Sequence, residues 1–82
     1  MVVHRVATMS DLSVAVAATF AARRRELGLS LDEVAARAGM HRTSLGLVER
    51  NKRSMTINSA ARIASALGLK LSAVVADAER QN

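Results

Sequence analysis

The stretch from Ser30 to Arg50, SLDEVAARAGMHRTSLGLVER, limits what this chain can fold into more than any other part of it. Ser30 suits a helix start, because its hydroxyl accepts from an otherwise unpaired amide, and Glu33 three positions later completes a capping box. Leu31, Val34, Ala35 and Ala38 then recur at helical spacing and give this helix one apolar face. Gly39 stops it, since a helix commonly exits through a left-handed residue and glycine takes that conformation without a steric penalty. A second helix is expected from His41 or Arg42. Its inner face holds Leu45 and Val48, and its outer face holds Arg42, Thr43, Ser44, Gly46 and Arg50. Ala35 is small, so the two helices can cross closely.

Two short helices joined at a glycine, the second with a polar and basic outer edge, form a helix-turn-helix, and such a second helix is free to enter a major groove. The charge balance agrees. Twelve Lys and Arg stand against seven Asp and Glu, a formal charge of +5, which favours an acidic partner. Nucleic acid comes first, although an acidic protein or a membrane surface fits the charge alone. Phe20 is the only aromatic residue. Single-strand and RNA binders usually stack bases on several rings, so duplex DNA is preferred. Cysteine is absent, which excludes disulfides and thiolate metal sites and fits a reducing compartment. His4 and His41 are too far apart in sequence for one helix to pair them, so neither a metal nor another cofactor is expected.

The 82 residues make one small domain, which buries only about 60% of its unfolded surface and gains stability from association. Val14 to Ala22 is apolar but too short for a signal core, and no run approaches the roughly 20 apolar residues of a membrane span. The expected location is the cytoplasm. Proline is absent and alanine abundant, so the expected class is all-α. Residues 1–10 read as a flexible lead-in, with Met1 or Met9 as alternative starts, and 11–82 as the domain. Ser10 or Asp11 would cap a first helix whose core stripe is Val16, Phe20 and Leu27, closed by Gly28. After the helix-turn-helix comes a basic loop, Asn51 to Met55. Thr56 would cap a fourth helix with Ile57, Ala60, Ile63, Ala64 and Leu67 inward and Gly68 at its end. Ser72 would cap a fifth with Val74, Val75 and Ala78 apolar; a strand over 70–76 is the lesser alternative. This last helix carries more apolar surface than so small a core absorbs. Leu69, Leu71, Val74 and Val75 are therefore assigned in part to a two-fold homodimer contact, the alternative being that they only complete the monomer core.

Taken together these residues resemble the Cro/phage-repressor-like, XRE-type helix-turn-helix family. The likeness runs from about Phe20 to Ala78 through Arg24, Leu27-Gly28, Ser30, Val34-Ala35, Ala38-Gly39, Arg42-Thr43, Leu45, Val48-Glu49-Arg50, Thr56-Ile57, Ile63-Ala64 and Ala66-Leu67-Gly68. The run HRTSLGLVERNKRSMTI looks closest to the controller proteins of restriction–modification systems. The resemblance implies a five-helix domain that binds double-stranded DNA, and a buried ion pair between Arg24 and Glu49 that fixes the recognition helix on helix one. It further implies that the loop with Lys52 and Arg53 follows the sugar–phosphate backbone, with Arg53 also able to read bases. Four positions depart from the family pattern: Leu31 where glutamine often holds a phosphate, Ser44 where tyrosine is usual, Gly46 where serine is, and Met55 where proline is.

Candidate DNA contacts follow from position and chemistry. Arg42 presents a planar fork that suits guanine O6 and N7, and Thr43 and Ser44 offer hydroxyls in the first turn. His41 either touches the backbone or caps the helix. Gly46 either admits DNA closely or is a neutral position, and Asn51 either meets a phosphate or caps the preceding helix. Ser30 opens a helix whose first amides suit an anion. No nucleophile–base set, facing carboxylates or phosphate-cradling glycine loop suggests an enzyme. The reading is a transcriptional regulator that binds a pseudo-palindromic operator as a homodimer, with RNA polymerase as a further partner. The alternative is a DNA-binding antitoxin, for which the short segments 1–10 and 76–82 leave little chain to fold on a toxin.

Overall fold

The computed structural model describes residues 9–81 and contains five helices: α1 Met9–Glu26, α2 Leu31–Ala38, α3 Arg42–Glu49, α4 Ile57–Ala66 and α5 Leu71–Gln81. The class is all-α, as expected. Most of the expected lead-in lies outside the described residues, but Met9 and Ser10 already belong to the first turn of α1. Ser10 and Asp11, expected to precede the first helix as its cap, thus lie within it.

Local signals set the helix limits. The Ser30 hydroxyl accepts from the Glu33 amide at 3.0 Å, and the Glu33 carboxylate accepts from the Ser30 amide at 2.8 Å. These bonds, the backbone one first, hold the Glu33 carboxyl below the usual range. Thr56 caps α4 by accepting from the Ser59 amide at 2.9 Å. Helices α1 to α4 all close with one backbone turn, in which a left-handed residue and its follower donate back into the last turn. At α2 the amide of Gly39 donates to Ala36 and that of Met40 to Ala35. Gly28 and Gly68 occupy the same place in α1 and α4. In α3 the place is taken by Asn51, with a φ of 60°, whose amide donates to Val48 while that of Lys52 donates to Leu47.

The apolar faces meet around Phe20, which is completely buried, with Leu45, Ile63, Leu67 and Val34 enclosed beside it. Helix α2 packs on α3 and α4, α1 on α3 and α5, and α4 on α5. Ala35 and Ala38 are both buried and let α2 cross its neighbours closely. No single helix among the described residues is long and apolar enough to cross a membrane.

Further expectations of burial or capping need correction. Leu27 is 42% exposed, because it lies past the end of α1, three turns from Val16, where the core no longer reaches. Ile57 is 78% exposed. It opens α4 one turn ahead of Ala60 and borders an open groove instead of the core. Ser72 is the second residue of α5 and caps nothing; the helix start is set by the Lys70 carbonyl, which accepts from Ala73 and Val74. Val74 is 4% exposed and belongs to the monomer core, whereas Leu69, Leu71 and Val75 are only partly buried against it. Segment 70–76 is helical from Leu71, not a strand.

Because Phe20 touches the common centre of these packed faces, Phe20→Ala should cost about 3–5 kcal/mol. Chemical denaturation followed by circular dichroism measures the loss, and a cost below about 1 kcal/mol would show that the centre lies elsewhere.

Candidate nucleic-acid interface

Helix α3 is held from within and open outside. Leu45 and Val48 are buried, and His41, Arg42 and Thr43 are exposed. Behind it, Arg24 of α1 and Glu49 of α3 form a two-pronged ion pair. Nε of Arg24 donates to Oε2 of Glu49 at 2.8 Å, and Nη2 donates to Oε1 at 3.0 Å. The third donor direction, Nη1, reaches the Leu29 carbonyl at 3.0 Å. The side chains of the pair are 16% and 8% exposed. Hydrogen bonding to Glu49 raises the Arg24 pKa above its ordinary value against the opposing effect of burial. No buried side-chain nitrogen or oxygen among the described residues lacks a partner.

The first turn of α3 carries open polar groups. His41 occupies the N-cap position in an extended conformation, with no side-chain capping bond. Nε of Arg42 lies 3.3 Å from a carboxylate oxygen of Asp32 on α2, and both side chains are largely exposed, at 65% and 71%. Such a solvated pair is worth about 0–1 kcal/mol and leaves Arg42 available. The hydroxyl of Ser44 accepts from Nη1 of Arg53 at 2.9 Å. The loop arginine is thereby folded back onto the recognition helix, and Ser44 and Arg53 form one unit that residue spacing did not suggest. Lys52 is exposed in the same loop. Asn51 closes α3 through its backbone. Ser30 is exposed but its hydroxyl is engaged in the capping box, so only the following amides could face an anion.

Gly46 differs from expectation most. Placed on the outer face by helical spacing, it is nevertheless buried. The guanidinium of Arg50 and the side chain of Leu31 lie over it: a Cβ at this position would sit 3.2 Å from Nη1 of Arg50 and 3.7 Å from Cδ1 of Leu31. Arg50 was legible as an outer-face residue but not as a candidate contact. A glycine four residues before an arginine on one helix face is the signal that points to it. Leu69, Leu71 and Val75 lie away from this face. Leu71 and Val75 line an apolar groove of about 200 Å³ with Leu12, Val16, Met55 and Ile57. Among the described residues no group of histidines and carboxylates is placed to hold a metal.

Comparison with known proteins agrees with this geometry. A family model described as "Helix-turn-helix" matches residues 20–74. An uncharacterized HTH-type transcriptional regulator of Sinorhizobium fredii (strain NBRC 101917 / NGR234), y4dJ, is 39% identical over 59 residues, 72% of this chain and 77% of the relative. The wild-type restriction–modification controller protein C.Esp1396I has a similar fold, with a TM-score of 0.76 at 24% identity over 85% of this chain and 92% of the other. The clp gene regulator ClgR of Corynebacterium glutamicum superposes with a TM-score of 0.77 at 24% identity, over 85% and 74% of the two chains.

The shielded ion pair makes a quantitative expectation. Glu49→Ala leaves Arg24 without its counter-charge and should cost about 3 kcal/mol or more. Arg24→Met with Glu49→Leu should be less destabilising than the sum of the single changes, with a coupling of about 1–3 kcal/mol by denaturant titration. Strict additivity would mean the two side chains act independently.

Proposed function

The chain belongs to the XRE-type helix-turn-helix family of DNA-binding transcriptional regulators, and from that premise we propose that it is a sequence-specific regulator that binds a pseudo-palindromic operator as a homodimer. The observation that carries the reading is the open first turn of α3, with Arg42 and Thr43 exposed on a helix whose opposite side is buried and locked by Glu49. In this reading Arg42, Thr43 and Ser44 enter the major groove, with Arg53 steered by its bond to Ser44. Lys52, Asn51, His41 and the amides after Ser30 meet the flanking phosphates.

The two-fold contact is assigned to the apolar groove between α1, α4 and α5. Ile57, 78% exposed, stands at its edge as an apolar side chain with no cover in the monomer. In this reading Leu71 and Val75 of the groove take part, with Leu69, partly buried against the core, as a further candidate, and Ile57 replaces the buried Val74. Two copies would present their α3 helices to half-sites about 34 Å apart, one helical turn of DNA. A regulator of this size represses by covering a promoter or activates by offering RNA polymerase a surface, in the cytoplasm and with no cofactor. The controller-protein reading adds that its own concentration is the input and that a neighbouring restriction–modification gene pair is the target.

Selection of bound duplexes from a random pool tests this directly. The expected product is a two-fold symmetric site, and a pool without enrichment would end the operator reading. Ile57→Glu should shift the chain to a monomer in sedimentation and bind the full site at least tenfold more weakly. A dimer that survives this change would relocate the contact. Lys52→Ala should weaken operator and random duplex alike and lower the salt slope by about one ion, while Arg42→Ala should weaken the operator far more than random DNA. Gel shifts over a range of salt separate the two.

A further inference from the structure

The structure assigns a base-reading role to Arg50, outside the set of contacts above, and makes Gly46 the device that positions it. The assignment rests on the DNA-binding reading and deepens it. Arg42, Thr43, Gly46 and Arg50 recur at helical spacing and, with Leu31, line one depression of about 230 Å³ on the outer side of α3. Gly46 is the gap in that row. The Arg50 guanidinium fills it, with Nη1 where the side chain of any larger residue would have to pass. Helical side chains lean toward the N-terminus, so the fork is carried back from the end of α3 to the middle of its outer face.

Three observations make this a prepared contact. The Arg50 guanidinium lies against the space that a side chain at position 46 would take, and a Leu31 methyl borders the same space, so the absence of a side chain at Gly46 lets the fork rest there before DNA arrives. Among the described residues no carboxylate pairs with Arg50, so, as for Arg25, Arg37, Arg53 and Arg62, its donors are not committed to an acid. Glycine weakens a helix interior, so a residue without a side chain here needs a compensating use. A planar fork with outward donors at mid-face matches the paired acceptors O6 and N7 of guanine, whereas phosphates flank the groove and are reached from the rim. Leu31 lines the same depression, and an apolar side chain there does not compete for the donors of the fork.

The experiment starts from duplexes selected with the wild-type chain, then titrates variants against the selected site and all its single-base-pair changes. Arg50→Ala should lose about ten- to a hundredfold affinity for the site and become indifferent at one base pair of each half-site, where the wild type demands G·C. Arg50→Lys keeps the charge and should relax the same base pair. Gly46→Ala should do so too, with a thermal midpoint no lower than the wild type, because the atom it displaces is the end of a flexible side chain. Combined with Arg50→Ala it should add no further loss. Equal weakening on every duplex, as a phosphate contact would give, or an unchanged base preference overturns the assignment while leaving the regulator reading intact. A wild-type chain that enriches no duplex removes both.

Discussion

The ion pair between Arg24 and Glu49 is the constraint on which the presentation of α3 depends. A helix of eight residues has no independent stability in water, because its nucleation cost is spread over too few hydrogen bonds. Leu45 and Val48 fix which side of α3 faces the core, but apolar contacts alone tolerate rotation and sliding. The guanidinium removes that freedom by taking both oxygens of Glu49 and the Leu29 carbonyl in one plane. One side chain thus ties α1, the α1–α2 turn and α3 together. A shielded ion pair is often no more stabilising than apolar residues of equal volume; its value here is geometric.

In front of this fixed platform the surface is organised by weaker, solvent-exposed contacts. Arg42 leans on Asp32, Arg53 on Ser44, and Arg50 on the bare backbone of Gly46. Each leaves a guanidinium oriented yet releasable, which suits a surface that exchanges water for polyanion. The exit from α3 shows the same economy. Where α1, α2 and α4 end in glycine followed by Leu29, Met40 and Leu69, α3 ends in Asn51 followed by Lys52. The backbone turn is conserved in shape, but its apolar follower is exchanged for a cation on the side where α3 is open.

Much of the fold was legible because its signals are local. The capping box at Ser30, the cap at Thr56 and the stops at Gly28, Gly39 and Gly68 depend on residues a few positions apart. Periodicity named the correct inner face of α2 and α3. It misplaced Leu27 and Ile57 because a stripe tells which side of a helix is apolar, not whether another helix covers that particular turn. Val74 and Val75 divide between core and surface for the same reason, since only the path of α1 across α5 decides between them. The bond from Arg53 to Ser44 requires the loop to fold back, and spacing does not report that. The Arg24–Glu49 pairing spans 25 positions and was legible only through family likeness.

The repeated closing turn at the ends of α1 to α4 bears on how the chain reaches this state. Each turn is completed by bonds that span only a few residues, so the direction of the next helix is set before distant parts of the chain meet. A helical domain assembled from such near-neighbour contacts has little loop-closure entropy to overcome, and folding times in the microsecond-to-millisecond range follow. A newly made copy would thus be folded almost as soon as it leaves the ribosome, and the delay in any circuit it serves would be set by synthesis, pairing and dilution and not by folding.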